Sequence, residues 1–218
     1  MPKLRVHNFS ISLDGYAAGP HQDLEHPIGV GGSHLHEWVF RTDTGRRLIG
    51  EAVNETTEGI DDRFMRDGID GIGATIMGRN MFGPVRGGWP DEEWTGWWGD
   101  EPPYHHPVFV LTHHDRPSFD MAGGTTFSFV TDGIDAALDR AFDAADGLDV
   151  RLGGGASAVQ QYLRAGLVDE LHLVIVPVLL GGGERLFTDG VVAADGYSCL
   201  EMVGSGDVTH VRLARNDG

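Results

Sequence analysis

The hydrophobic and polar positions along the chain predict strands and helices in alternation. The predicted strands are 4–13, 73–77, 108–111, 126–130, 148–152, 171–178, 197–202 and 208–213. The predicted helices are 44–65 in two parts, a short one after residue 78, 134–145 and 156–165. Strands accumulate at the end of the chain. This order predicts an α/β fold with a mostly parallel sheet, helices on both faces and an antiparallel C-terminal edge.

Local signals add detail to this pattern. The alternation in the first strand changes register near Asn8, which predicts a bulge, and Asp14-Gly15 predicts the turn that ends the strand. Residues 19–33 and 83–103 show no periodicity and are predicted to be loops, the second carrying four of the five tryptophans. Thr131 or Asp132 is expected to cap the helix that follows.

Composition narrows the class of protein. The chain has 218 residues, with 16 basic and 33 acidic side chains and a net charge of −17. That charge argues against nucleic acid or an anionic membrane as a partner. The single cysteine, Cys199, excludes an internal disulfide and fits a reducing cytoplasm. No signal peptide, membrane span or linker is apparent, so we expect a single domain over 1–218 in the cytoplasm.

The segment from Leu152 to Ser157 is the strongest chemical signal. A strand ends, three glycines follow, and a helix begins. Glycines allow an anion to approach the backbone, and the first N–H groups of a helix point toward it. A diphosphate fits this arrangement, although a tight strand-to-helix turn without a ligand is equally compatible with it.

Two further strand ends carry polar residues. Gly78-Arg79-Asn80 follows one strand, and the Arg79 guanidinium has the planar shape that clamps phosphate, although a surface arginine beside a turn is the simpler alternative. Thr112-His113-His114 follows the next strand and suits a ribose 2′-phosphate. Because ligands of parallel sheets bind at the carboxyl ends of strands, the three segments together predict one nucleotide cleft.

Other chemistries have weaker support. The histidine pairs lack the i, i+4 spacing of helical metal ligands, so no metal site is predicted. Ser157 does not lie in a G-x-S-x-G elbow, and Cys199 lies in a predicted late strand. A hydrolase using Ser157 or a histidine-bound metal therefore remains a minor alternative.

Six segments in order along the chain resemble the dihydrofolate-reductase-like superfamily, and most closely the C-terminal reductase domain of the riboflavin-pathway deaminase-reductase. They are 10–16, 73–80, 108–112, 152–156, 166–171 and 177–183, and they extend over nearly the whole chain. The resemblance implies a three-layer sandwich with a mostly parallel central sheet. It also implies NADPH as cofactor and a homodimer, for which the apolar strand 171–180 is a possible contact.

The same resemblance assigns residues to the cofactor. The implied cofactor-binding residues are Ala17, Ala18, Gly78, Arg79, Asn80, Met81, Thr112, His113, Gly153, Gly154, Gly155, Ala156 and Ser157. Ala17 and Ala18 correspond to positions near the nicotinamide. The chain departs from the riboflavin enzymes at Gly153, where those enzymes usually carry an acidic residue.

The predicted function is an NADPH-dependent reductase acting on a small heterocyclic substrate. The activities it most resembles are 5-amino-6-(5-phosphoribosylamino)uracil reductase and dihydrofolate reductase. Asp14 or Glu37, or water oriented by either, is the expected proton source. Trp38, next to Glu37, is the expected substrate contact. Alternatives are a nucleotide-binding protein without turnover and a reductase that uses a flavin or deazaflavin.

Overall fold

The computed structural model contains a nine-stranded sheet. It describes residues 1–53, 59–83, 86–192 and 196–216. The strands are β1 (Leu4–Ser12), β2 (Tyr16–Ala18), β3 (Ile72–Gly78), β4 (Pro107–Leu111), β5 (Phe119–Asp120), β6 (Thr126–Val130), β7 (Asp149–Gly154), β8 (Glu170–Val176), β9 (Glu184–Arg185), β10 (Tyr197–Gly204) and β11 (Thr209–Arg215). The helices are α1 (Asp43–Leu48), α2 (Ile60–Ile69), α3 (Arg79–Phe82), α4 (Ile134–Ala144) and α5 (Ala156–Arg164).

The strand order is β10-β11-β8-β1-β7-β3-β4-β6-β5, and the six strands from β8 to β6 are parallel. β10, β11 and β5 pair antiparallel at the two edges. The predicted α/β class, with its parallel centre and antiparallel C-terminal edge, is confirmed. β2 and β9 form a separate two-stranded sheet. Three and two residues are too few to produce a readable alternation, so the sequence did not reveal this pair.

Helices cover both faces of the sheet. On one face α4 and α5 pack their apolar sides, including Leu138 and Val159, against the central strands. On the other face α2 contributes Phe64 and Met65, both buried. A parallel sheet needs this double cover because its strands are apolar on both sides.

The predicted bulge in β1 is confirmed. The pairing of β1 with β8 shifts register between Val6 and Phe9, and Asn8 has a φ of +56°. Asn8 then presses against α2, where a Cβ on Gly68 would lie 2.2 Å from the Asn8 Nδ2 atom. A larger residue at position 68 would therefore require the Asn8 side chain to move.

The predicted cap of α4 is wrong. Its N-cap is Gly133, with a φ of +94°, and no side chain caps the helix. Asp132 instead pairs with Arg140 at 2.7 Å. The chain enters α4 through a left-handed residue, and that conformation favours glycine over threonine or aspartate.

The strand expected to support a dimer lies inside the sheet. β8 is hydrogen-bonded to both β1 and β11, so its backbone is not free to pair with a second chain. The C-terminal edge strand is β10, which exposes Leu200 and Met202. In the described part of the chain, no helix has the length and apolar character needed to cross a membrane.

Candidate functional site

A cavity of about 720 Å³ opens where β3, β4, β6 and β7 end. It is lined by every residue that the sequence assigned to the cofactor. These are Ala17, Ala18, Gly78, Arg79, Asn80, Met81, Thr112, His113, Gly153, Gly154, Gly155, Ala156 and Ser157. Residues from four separate chain segments thus meet in one place.

Three helices begin at this cavity, and each has a glycine at its N-cap. The N-caps are Gly78 for α3, Gly133 for α4 and Gly155 for α5, none with a side-chain cap. All three glycines line the cavity. The first N–H groups of a helix need a partner, and here no capping side chain supplies one. The arrangement leaves backbone donors available to anionic groups of a ligand.

The starts of α3 and α5 lie against each other. A Cβ on Gly78 would be 3.2 Å from the Ala158 Cβ and 3.5 Å from the Gly155 nitrogen. A Cβ at position 78 would therefore require the Ala158 side chain to give way by a few tenths of an ångström. Around Gly155 itself the space is open, since a Cβ there would meet no atom within 4 Å. This open glycine turn gives a diphosphate room to approach the backbone.

Arg79 extends from the start of α3 beside the Thr112 hydroxyl. Its Nη1 donates to the Gly87 carbonyl oxygen at 2.9 Å and lies 3.5 Å from Thr112 Oγ1. Its Nε and Nη2 atoms are buried without hydrogen-bond partners. Burial, with a smaller contribution from the Arg116 charge, lowers the pKa of Arg79. A guanidinium with unused buried donors fits a phosphate group.

Asp14 has a different setting and is not among the residues that line the cavity. Its carboxylate accepts hydrogen bonds from Ser12 Oγ at 2.6 Å and from the backbone N–H groups of Leu180 and Gly181. The Ser12 bond, together with the two backbone bonds, lowers the pKa of Asp14 to about 2. These contacts tie the turn after β1 to the loop after β8.

Glu37 and Trp38 also lie outside the cavity lining. Glu37 is exposed, with its carboxylate 2.7 Å from His34 Nδ1 and 3.8 Å from Arg41. Trp38 is 2% exposed, and its Nε1 donates to Ser10 Oγ at 3.0 Å. The structure does not bring Asp14, Glu37 and Trp38 together with the cofactor residues. Their proposed catalytic and substrate roles stay predictions.

Other side chains line the cavity without having been singled out by the sequence. Glu184 is the one acidic residue among the described residues that line the cavity, and it pairs with Ala18 between β9 and β2. Gly183 fixes this pairing, because its φ is +119° and a Cβ there would lie 2.0 Å from the Ala18 oxygen. Arg151 on β7 and Tyr104 line the same space.

The fold is that of an α/β protein with a cavity at the carboxyl ends of its parallel strands. The chain belongs to a family within that class, the RibD C-terminal domain, whose model matches residues 2–205.

Two solved structures share the fold. One is a protein assigned to riboflavin biosynthesis from Shewanella sp. PV-4, with 19% identity, a TM-score of 0.56 and full coverage of both chains. The other is the diaminohydroxyphosphoribosylaminopyrimidine deaminase/5-amino-6-(5-phosphoribosylamino)uracil reductase of Thermotoga maritima, with 10% identity and a TM-score of 0.55. That match covers 99% of this chain and 57% of the Thermotoga chain, so the present chain corresponds to little more than half of it.

One curated protein is similar over a short stretch. The uncharacterized protein YyaP of Bacillus subtilis (strain 168) is 51% identical over 43 residues. The matched stretch is 20% of this chain and 23% of YyaP, so the chain matches about a quarter of that relative's length.

Proposed function

We propose that the chain is an NADPH-dependent oxidoreductase that reduces a small heterocyclic substrate. The observation that carries the proposal is the convergence of all thirteen expected cofactor residues on one cavity. Family membership supports a reductase of this fold. The activity of the Thermotoga neighbour and that of dihydrofolate reductase are the models for the substrate class, and the cytoplasm is the expected compartment.

The residues present fit a dinucleotide phosphate. The N-termini of α3 and α5 would hold the diphosphate, and Arg79 with Thr112 and His113 would hold the 2′-phosphate. The buried, unpartnered nitrogens of Arg79 would gain hydrogen bonds there. When bound, the nicotinamide supplies a hydride, and the protein supplies orientation and a dry site.

A proton must accompany the hydride, and Glu184 is the residue we expect to hold it. Glu184 is the acidic residue among the described residues that line the cavity, and its backbone pairs with Ala18. Asp14 and Glu37 remain the positions expected from the sequence, but their carboxylates make the local contacts described above. If neither a side chain nor an oriented water supplies a proton, the chain is a nucleotide-binding protein without turnover.

Calorimetric titration of the purified protein with NADPH, NADH and reduced flavin mononucleotide tests the proposal. We expect micromolar NADPH binding and NADH binding at least about tenfold weaker. Arg79→Ala should raise the NADPH dissociation constant and leave that of NADH nearly unchanged. Failure of both nicotinamide nucleotides to bind would overturn the proposal. Tight binding of the flavin alone would favour the flavin-dependent alternative.

We further propose a homodimer, as the family resemblance implies. The exposed side chains of β10, including Leu200 and Met202, offer an apolar edge for that contact. Sedimentation equilibrium of the wild type and of Met202→Lys would test it. A monomeric wild type would refute the dimer.

A further inference from the structure

Arg151 carries an unpaired positive charge on the cavity wall. It lies on β7 and is among the residues that line the cavity. Its Nε atom is buried and has no hydrogen-bond partner. Among the described residues, no carboxylate lies within 4.0 Å of its guanidinium group. The described part of this strongly acidic chain therefore supplies no counter-ion at this point.

The contrast with the neighbouring arginine is informative. Arg5 is in register with Arg151 on the adjacent strand β1. Its guanidinium has carboxylate partners, Asp149 at 3.2 Å and Glu170 at 4.0 Å. Two arginines side by side in one sheet thus differ in charge compensation, and the uncompensated one belongs to the cavity lining.

The surroundings of Arg151 disfavour its charge. Burial, together with the charge of Arg5, lowers the pKa of Arg151, although an arginine stays protonated at neutral pH. Burial also lowers the pKa of nearby His106 to about 4, with a further contribution from Arg151, so His106 is neutral. A charge withdrawn from water without a partner is costly to the fold. Such a cost is typical of sites that are completed by a ligand.

The position of Arg151 separates it from the expected phosphate sites. It precedes Gly153 by two residues on the same strand, which places its Cα about 7 Å from the glycine turn along β7. Gly153 and the start of α5 lie at the end of the strand, whereas Arg151 lies further down the sheet face. The cavity lining also includes Tyr104 and Asn8.

We propose that Arg151 binds an oxyanion of the substrate, either a carboxylate or a phosphate ester, in the part of the cavity that the cofactor leaves free. This inference rests on the proposed reductase function and names the substrate class for it. The planar fork of the guanidinium can pair with two oxygens of such a group. A neutral heterocycle of the same shape would leave the charge unpaired and bind more weakly.

Calorimetry with simple anions tests the proposal directly. The probes are benzoate and ribose 5-phosphate, each compared with a neutral counterpart, benzamide or ribose, with and without saturating NADPH. We expect the wild type to prefer at least one anion by about tenfold or more, and the preferred anion identifies the source of the oxyanion. Arg151→Gln should abolish the preference. Arg164→Gln, which removes an exposed arginine from the end of α5, should retain it.

Three results would overturn the proposal. The wild type shows no preference for either anion, Arg151→Gln keeps the preference, or Arg151→Gln raises the NADPH dissociation constant as Arg79→Ala does. If the wild type binds no NADPH, the reductase proposal fails, while the measurements without NADPH still decide the role of Arg151.

A second variant tests whether Arg151 instead stabilises the fold. Arg151→Met removes an unpaired buried charge and keeps most of the side-chain volume, so its melting temperature should rise by about 2–4 °C. A large fall in melting temperature would show that the guanidinium stabilises the fold itself, and the proposal would then be wrong.

Discussion

The guanidinium carbon of Arg79 lies 3.3 Å from the centre of the Trp89 ring. Trp89 is fixed in turn, because its Nε1 donates to the His114 carbonyl oxygen at 2.9 Å. The guanidinium of Arg116 lies 5.0 Å from the same ring. Trp89 therefore holds the Arg79 guanidinium, the predicted phosphate ligand, in place from one side. Trp89 is thus a positioning residue for Arg79.

Trp89→Leu should weaken NADPH binding more than NADH binding. A cation–π contact contributes about 0.5–2 kcal/mol, so we expect the NADPH dissociation constant to rise roughly 2- to 30-fold. If Arg79 binds the 2′-phosphate, the substitution should raise the dissociation constant of NADPH and leave that of NADH nearly unchanged. Titration with both nucleotides gives the ratio of the NADH and NADPH dissociation constants. A fall in this ratio indicates the positioning role, whereas general damage to the loop would raise both constants equally.

Trp89→Phe is the matched control, because it keeps an aromatic face under Arg79 and loses only the bond to His114. Trp89→Phe should retain most of the wild-type preference for NADPH over NADH. Equal weakening of NADPH and NADH in both variants would mean that Trp89 supports the loop and does not orient Arg79.

The comparison of Glu184→Gln with Glu37→Gln separates two candidate proton sources. General acid catalysis contributes on the order of 10²–10⁴-fold, so Glu184→Gln should lower kcat by about 10²-fold or more. Glu37→Gln should leave kcat nearly unchanged, because Glu37 is exposed and lies outside the cavity lining. Rates are measured at saturating NADPH with a substrate that the wild type reduces.

The dissociation constant of NADPH serves as the control for both variants and should not change. Glu184→Asp should recover part of the lost rate. A rate loss in Glu37→Gln, with none in Glu184→Gln, would restore the assignment made from the sequence.

The parallel strands and the phosphate-binding turns were predictable because each has a local signature. Residues 126–130 alternate polar and apolar side chains before Val130 and form β6 with the same bounds. The glycines 153–155 end a strand and begin α5, as their spacing indicates. These features depend on residues that are adjacent in the chain, and adjacency is what a sequence displays.

Features that depend on distant contacts were missed. Glu184 joins the cavity because β9 pairs with Ala18, more than 160 residues earlier, and a two-residue strand has no periodicity. Arg151 alternates with Val150 and Leu152 like any polar residue of a half-buried strand. Its missing counter-ion becomes apparent only when the neighbouring strands are in place. Trp38 looked like a pocket residue because of its neighbour Glu37, but the fold turns it toward Ser10.

Trp38→Phe tests the buried setting of that side chain. The change removes the donor to Ser10 Oγ and leaves a small void among Leu35, Met65 and Val208. We expect the free energy of unfolding to fall by about 2–3 kcal/mol, measured by urea denaturation. The KM for substrate should stay the same. A changed KM with unchanged stability would instead support the substrate contact predicted from the sequence.

Buried histidines make the fold sensitive to mild acid. His172 is fully buried, its Nδ1 accepts from the Asn8 N–H and its Nε2 faces His210 Nδ1 at 3.1 Å. Burial, followed by the charges of its neighbours, lowers the pKa of His172 to about 2, and burial also lowers the pKa values of His7 and His210. In the unfolded chain these groups titrate near pH 6.5.

The unfolded state therefore binds more protons than the folded state below pH 6.5, and the stabilisation present at neutral pH is lost as the pH falls. Between pH 7.5 and 5.5 His172 alone should lower the free energy of unfolding by about 1.4 kcal/mol. Urea denaturation at both pH values measures the loss. His172→Gln should reduce the loss by that amount, whereas His26→Gln, at an exposed histidine, should leave it unchanged. An equal loss in all three proteins would show that His172 does not cause the acid sensitivity.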